Sequence, residues 1–357
     1  MPARPETAPE PRWLARRLLA WHARHGRHDL PWQKNRTLYR VWVAEIMLQQ
    51  TQVATVIPYY RRFLRAFPSL RRLADASLDA VLEQWTGLGY YARARNLHRA
   101  ARRVRDELGG RLPRDLDGLM KLPGIGRSTA GAILAQVLDR PHPILDGNVK
   151  RVLARCFAVD GWPGEPAVEA RLWELSTACT PATRCADYTQ AIMDLGATVC
   201  TSRNPACGRC PLAPRCLARA SGEPTAWPAP RPGRTRPRRR HTLLVLRDAR
   251  GRVLLQRRPP AGIWGGLWTL PLCPDRADPA RWCRDELALA IRPGRRGPLI
   301  RHELTHFRLE LEPLYAELAP NRGGTREGPE LRWHVPGSRP PGGLPAPVRR
   351  LLDTLTA

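Results

Sequence analysis

Apolar residues recur every three or four positions from Pro11 to about Thr201. Leu38–Val56, Leu78–Trp85, Arg95–Leu108, Ser128–Leu138, Asn148–Val159 and Ala186–Val199 carry this period, which predicts an almost wholly helical region. Pro58, Gly87-Leu88-Gly89, Gly109-Gly110 and Pro123 punctuate it. The stretch Glu223–Arg240 is rich in Pro and Arg and reads as an extended linker. Beyond it the pattern shortens. His241–Leu246 and Val253–Arg257 are β-type runs around an Asp248–Gly251 turn, and Leu299–Leu311 and Leu331–Val335 read as further strands. Ala280–Leu289 and Ala346–Leu355 read as helices. The expectation is multidomain: an all-α domain over 1–222, a linker over 223–240 and a small α+β domain over 241–357. No internal repeat is present.

Composition changes the picture through charge. Lys and Arg number 59 against 32 Asp and Glu, a net charge of +27 over 357 residues. A field of that sign attracts polyanions, so nucleic acid is the first partner to expect, then an anionic membrane surface. An arginine-rich genome would explain Arg over Lys but not the surplus over acids. No apolar run is long enough to span a membrane, and Met1–Arg12 has no apolar core, so a soluble, cytoplasmic protein is expected.

Two carboxylates and a turn stand out. Leu122-Pro123-Gly124-Ile125-Gly126 places two glycines just before a helix, a hairpin whose backbone can approach a phosphate at the helix N-terminus; an ordinary helix–helix turn has the same pattern. Twenty residues on, the apolar run Pro143-Ile144-Leu145 ends at Asp146, an N-cap position whose carboxylate is expected to stay ionised by accepting backbone N–H bonds. Glu45 interrupts the apolar run Val41–Leu48, where desolvation would raise its pKa. One ionised and one protonatable carboxyl is how acid and stabiliser roles divide in glycoside chemistry. A plain helix cap and a surface ion pair are the structural alternatives.

Four of the nine cysteines crowd into Cys200-x6-Cys207-x2-Cys210-x5-Cys216. In a reducing compartment this reads as metal binding. The spacing suits structural zinc or an iron–sulfur cluster equally. The remaining cysteines lack ligand spacing and read as small packing residues.

Leu30-Pro31-Trp32, Glu45–Val53, Trp85–Asn96, the hairpin, Ile144–Val149 and the four cysteines occur in order, and with them the chain resembles the helix–hairpin–helix DNA glycosylases of the endonuclease III superfamily, most nearly the MutY-type adenine glycosylases. The resemblance runs from about Trp13 to the C-terminus. It implies a helix–hairpin–helix glycosylase domain with one [4Fe–4S] cluster on Cys200, Cys207, Cys210 and Cys216, joined to a Nudix-like lesion-recognition domain. The implied partner is double-stranded DNA with A:8-oxoguanine or A:G mispairs, bound by a monomer.

By the same resemblance Glu45 protonates the leaving adenine, and Asp146 meets the positive charge developing on the sugar. Tyr90 wedges into the duplex, Gln49 props open the vacated stack beside Gln50, and Trp32 and Gln190 line the adenine pocket. Leu122, Gly124, Gly126, Ser128, Asn148 and Lys150 fall at the DNA side, Lys150 as a phosphate contact. Ser128 stands where strand-cleaving relatives carry a lysine; a hydroxyl cannot form an imine, so base release without strand cleavage is implied. Gln256–Pro260 and Gly262–Trp268 resemble the Nudix-like module without its acidic metal box. The lesion-reading turn of the family, Phe-Ser-His, is here Leu304-Thr305-His306, which keeps Thr305 and His306 but loses the aromatic. Ser128 and the C-terminal domain argue against a bifunctional pyrimidine-lesion enzyme. Retention of Glu45 and Asp146 argues against a non-catalytic iron–sulfur DNA-binding protein, and the missing acidic box against a Nudix hydrolase.

Overall fold

The computed structural model describes residues 9–233, 236–304, 306–319 and 328–356. Its contacts divide into two compact units, 9–74 with Arg99–Gly233, and Asp75–His98 with 236–356. In chain order the helices are α1 Pro11–His25, α2 Leu38–Leu48, α3 Val53–Ala66, α4 Leu70–Asp75, α5 Leu78–Trp85, α6 Ala92–Glu107, α7 Leu116–Met120, α8 Arg127–Leu138, α9 Gly147–Cys156, α10 Pro166–Cys179, α11 Cys185–Thr198 and α12 Leu217–Ala220. The strands are β1 Arg238–Arg247, β2 Val253–Arg257, β3 Trp268–Thr269, β4 Leu272–Pro274, β5 Ile291–Arg296, β6 Ile300–Glu303, β7 Arg308–Leu318 and β8 Leu331–His334, with α13 Pro279–Leu287 and α14 Ala346–Asp353 among them. Among the described residues no helix is long and apolar enough to cross a membrane.

The first unit is all-α. Helix α2 is capped by Thr37, whose side chain accepts from Arg40 N, and is apolar nearly all round: Val41, Trp42, Val43, Ala44, Ile46 and Met47 are buried. A helix of that kind belongs at the centre of a domain, and α8 packs on it. A second core joins α1, α9, α10 and α11 through Leu14, Leu18, Val149, Leu153, Leu172 and Leu195. Two glycines permit close approaches between helices and their neighbours. A Cβ on Gly131 would meet Pro143 O at 2.6 Å, and one on Gly196 would meet Asn148 Cβ at 2.6 Å. The first seats the Pro143–Asp146 segment on α8; the second seats α9 on α11.

Two helical expectations change. Leu38–Val56 is two helices, broken at Gln49–Gln52 with Gln50 in the left-handed region (φ 55°). Pro58 punctuates nothing and lies inside α3.

The second unit holds a mixed sheet of order β3-β2-β1-β7-β5, with β4 on β1, β6 on β7 and β8 on β2. Strands β1 and β7 pair in parallel from Arg238↔Arg308 to Arg247↔Glu317, so β1 starts inside the stretch expected as linker. As a central strand, β1 buries Thr242–Leu246 without alternation. The single strand expected over Leu299–Leu311 is the β6–β7 hairpin, paired from Ile300↔Leu311 to Glu303↔Arg308. Strand β5, which contains Pro293 and Gly294, had no β signature and forms at the edge with a register shift between Pro293 and Arg296.

Segment Asp75–His98 joins this unit through close contacts. Arg339 donates twice to Glu83 at 2.9 Å, Arg257 pairs with Asp79 at 3.2 Å, and Arg95 donates to Gly265 O at 2.6 Å. Gly343 lies so close that an added Cβ would meet Leu82 O at 2.8 Å.

Candidate functional site: a carboxylate cleft and a thiol hollow

A cleft of about 800 Å³ opens in the helical unit. The last turns of α2 bring Glu45 to it, and the break after α2 brings Gln49 and Gln50. The first turns of α8 supply Ser128, Thr129 and Ala132, the segment before α9 supplies Ile144 and Asp146, and α11 supplies Gln190. Trp32 borders the cleft while packing edge-on against Tyr60, 5.5 Å between ring centres. Residues expected from distant parts of the sequence thus line one cleft.

Burial pushes the Glu45 carboxyl up to about 7, and the nearby Asp146 charge adds to the shift. Gln136 Nε2 donates to Glu45 Oε1 at 2.7 Å and opposes it. Asp146 caps α9, accepting from Val149 N at 2.8 Å. The expected cap is present, but its effect on ionisation is overruled. Burial raises the Asp146 pKa despite the N–H bonds from Val149 and Asn148 and the charge of Arg151. Ser128 Oγ accepts from Leu145 N at 2.9 Å, so Ser128 tethers the segment that carries Asp146.

Asn148 Oδ1 accepts from Arg151 Nη2 at 2.8 Å. Arg151 continues to Gly196 O at 2.6 Å and Cys200 O at 2.7 Å, so one guanidinium ties the N-terminal half of α9 to the first cysteine. Gln190 is 3% exposed, and its Nε2 donates to Asp194 Oδ1 at 2.7 Å. Arg27 grips the same carboxylate through its backbone N at 2.7 Å and its Nε at 2.8 Å. A carboxylate so placed only accepts, which turns the Gln190 amino group inward. Gln190 Oε1 has no hydrogen-bond partner among the described residues.

In the hairpin, Leu122 and Ile125 are buried and anchor the turn, and Gly124 takes φ 82°. Gly126 caps α8 with no side-chain bond to its first N–H groups, and a Cβ there would meet nothing within 4 Å. Lys150 is drawn elsewhere: its amine donates to Glu169 at 2.7 Å and Pro163 O at 3.1 Å. In the second unit Tyr90 stands on a Gly87–Gly89 turn with φ 48° and is 48% exposed, not core-packed. Arg93 lies 5.3 Å from its ring and donates to Gly89 O at 3.2 Å. At the β6–β7 hairpin Leu304 N donates to Phe307 O at 3.0 Å, and His306 is exposed. Thr305 lies outside the described residues.

Cys200, Cys207, Cys210 and Cys216 border one hollow, all free thiols, with Arg155 and Arg219 beside them. Among the described residues no three Cys, His, Asp or Glu converge closely enough for a single metal ion. Four cysteine thiolates are the ligand set of a cubane iron–sulfur cluster. Arg155, 3% exposed, donates to Cys200 Sγ at 3.4 Å, Thr201 O at 2.6 Å, Ser202 O at 2.8 Å and Trp227 O at 2.9 Å. Cys156, read from spacing as packing, is buried in hydrogen-bond contact with Cys216.

The paired carboxylates behind a hairpin, with a thiol loop downstream, define a helix–hairpin–helix base excision DNA repair protein. The model of that superfamily (HhH-GPD) matches residues 43–177, the iron–sulfur binding domain of endonuclease III matches 200–216, and a NUDIX domain matches 242–354. The chain is 34% identical to the adenine DNA glycosylase of Buchnera aphidicola subsp. Acyrthosiphon pisum over 336 residues, 94% of this chain and 95% of that protein. It is 47% identical to the adenine DNA glycosylase of Rattus norvegicus over 212 residues, 57% of this chain and 41% of that protein. A solved thermostable thymine-DNA glycosylase superposes with a TM-score of 0.51 at 26% identity, covering 58% of this chain and 95% of its own. The chain belongs to the adenine DNA glycosylase family. Its cofactor is a [4Fe–4S] cluster.

Proposed function

We propose that this chain hydrolyses the N-glycosidic bond of adenine mispaired with 8-oxoguanine or guanine in duplex DNA, leaving an abasic site and an intact strand. The observation that carries the reading is the convergence of Glu45 and Asp146 on one cleft, with Glu45 pushed up to about 7. At neutral pH a group so poised both holds and gives a proton. A base inside a duplex is out of its reach, so the adenine swings out of the stack into the cleft. Glu45 then protonates the leaving purine. Asp146 lines the same cleft, and a cationic sugar favours its ionised form.

Placement in the structure supports the other roles proposed. Gln190 offers its unpartnered carbonyl as an acceptor for an amino group on the base. Trp32 walls the cleft, Gln49 and Gln50 lie at its rim, and exposed Tyr90 is free of the core to enter the duplex. Leu122, Gly124 and Gly126 present backbone to a phosphate beside Ser128 and Asn148, and the net charge of +27 draws the polyanion. Cys200, Cys207, Cys210 and Cys216 hold the cluster, which stiffens the loop beside α9. Because Lys150 is paired with Glu169, its contact to phosphate requires that pair to open. Thr305 and His306 read the base opposite the adenine.

Purified protein incubated with an A:8-oxoguanine duplex is expected to release free adenine, with strand breaks appearing only after alkali. Absence of adenine release, or strand cleavage without alkali, overturns this reading.

A further inference from the structure

No spacing or motif marks Gln136, yet among the described residues it is the side chain that donates a hydrogen bond to the Glu45 carboxyl. We infer that Gln136 is a positioning residue: its amide holds Glu45 Oε1 as the carbonyl oxygen and so fixes the transferable proton on Oε2. The inference rests on Glu45 being the acid.

The geometry is directional. An amide N–H donates and never accepts, and in a neutral carboxyl the carbonyl oxygen is the better acceptor while the hydroxyl oxygen donates. Gln136 Nε2 lies 2.7 Å from Oε1, so the N–H selects that oxygen and leaves the hydroxyl on the other. Gln136 is 3% exposed and sits on a rigid helix. With Thr129 and Ala132 it forms one face of α8 at three- and four-residue spacing, one turn beyond the residues that line the cleft. A Leu or Met would fill such a place without a polar group to satisfy, so the amide is explained by its partner.

The charged groups around Glu45 leave this role to Gln136. Asp146 faces it from the start of α9 and disfavours a second negative charge. Arg27 and Arg151 border the same cleft, but Arg27 is held by Asp194 and Arg151 by Asn148, Gly196 and Cys200. Gln136 also stabilises the ionised form that remains once the proton has left.

The full-chain, cluster-loaded enzyme carrying Gln136→Met, which keeps the volume and loses the donor, tests this. Single-turnover adenine release from an A:8-oxoguanine duplex is followed from about pH 5 to about pH 9, a span bracketing the acid. The acidic plateau is expected to fall about tenfold, and the alkaline limb to move up by about one pH unit, the size of one lost charge-assisted bond. Gln136→Glu should move the limb further up, because two carboxyls then share a proton. The carbonyl stretch of protonated Glu45, assigned by its loss in Glu45→Gln, should rise in frequency in Gln136→Met, a readout independent of turnover. A slower Gln136→Met with limb and stretch unmoved is the behaviour of mere packing and overturns the inference. Full activity in Glu45→Gln removes the acid reading itself, whereas an inactive Glu45→Gln beside a wild-type-like Gln136→Met refutes only the role of Gln136.

Discussion

The helical unit braces its candidate groups from behind, and the C-terminal unit carries its candidate, His306, out on a turn. Glu45 is braced by Gln136, the Asp146 segment by Ser128 and α8, and Gln190 by Asp194 and Arg27. Each brace is a buried or half-buried bond, and all but Gln190–Asp194, which lies within α11, reach across separate segments of the chain. By contrast, His306 is exposed at the end of the β6–β7 hairpin, whose inward-facing residues Leu309 and Leu311 are fully buried. Preorganised groups in a desolvated cleft act on the barrier of a reaction. An exposed side chain on a paired scaffold acts on which partner is preferred. The two kinds of site should therefore fail differently when cut.

The largest failures belong to the carboxylates. Glu45→Gln and Asp146→Asn are each expected to lower single-turnover adenine release by about 10²–10⁴-fold while duplex binding persists. Because the folded pKa of Glu45 is raised to about 7, the protonated acid predominates below that pH and wild-type release should fall as pH rises through it. The sign for stability is the same. A carboxyl raised in the folded state favours folding below its unfolded value, and that contribution is lost as pH rises through about 7. A wild-type profile that climbs through this range, or either variant at full activity, would contradict the division of roles.

A middle-sized effect should come from a residue that touches no substrate. Gly131→Ala puts a Cβ 2.6 Å from Pro143 O, in the segment that ends at Asp146. Overpacking of this kind costs about 1–3 kcal/mol, and a displaced Asp146 could cost up to ~10²-fold in rate. Thermal melting and adenine release measured on one preparation check both. An unchanged melting temperature with unchanged rate would mean that the segment yields freely and that α8 does not position Asp146.

The same contrast explains what was legible in the sequence. Glu45 and Asp146 could be read because their signals are local: a carboxylate in an apolar helical run, and an Asp where an apolar run meets a helix start. The hairpin and the four cysteines are local as well. Gln136 carries the signal that marked Glu45, a polar residue in the apolar run Ala130–Leu138, but its partner lies on another helix and gives no spacing to see. The break at Gln49–Gln52 has no Gly or Pro to announce it. The ionisation of Asp146 is not legible in the sequence, because the cap is local and the burial is tertiary, and burial wins. In the C-terminal unit β5 exists only through its pairing with β7, and the 304–307 turn has none of the residues that usually mark one.

The smallest effect should arise at that turn. His306 is exposed, so His306→Ala leaves no buried donor unsatisfied, and the melting temperature should not move. What it loses is one hydrogen-bonding ring aimed outward from a scaffold fixed by Phe307, whose own ring lies 4.4 Å beneath the Arg239 guanidinium. One neutral hydrogen bond is worth about 0.5–1.5 kcal/mol, a factor of about 2–10 in a binding ratio. The quantity to measure is the ratio of affinities for A:8-oxoguanine and A:G duplexes, with the saturating rate of adenine release as the control. The ratio is expected to shrink by that factor while the saturating rate holds. A changed saturating rate would show that the turn reaches the chemistry after all. An unchanged ratio would move the reading of the opposite base away from His306 and leave the two units with less contrast than their construction implies.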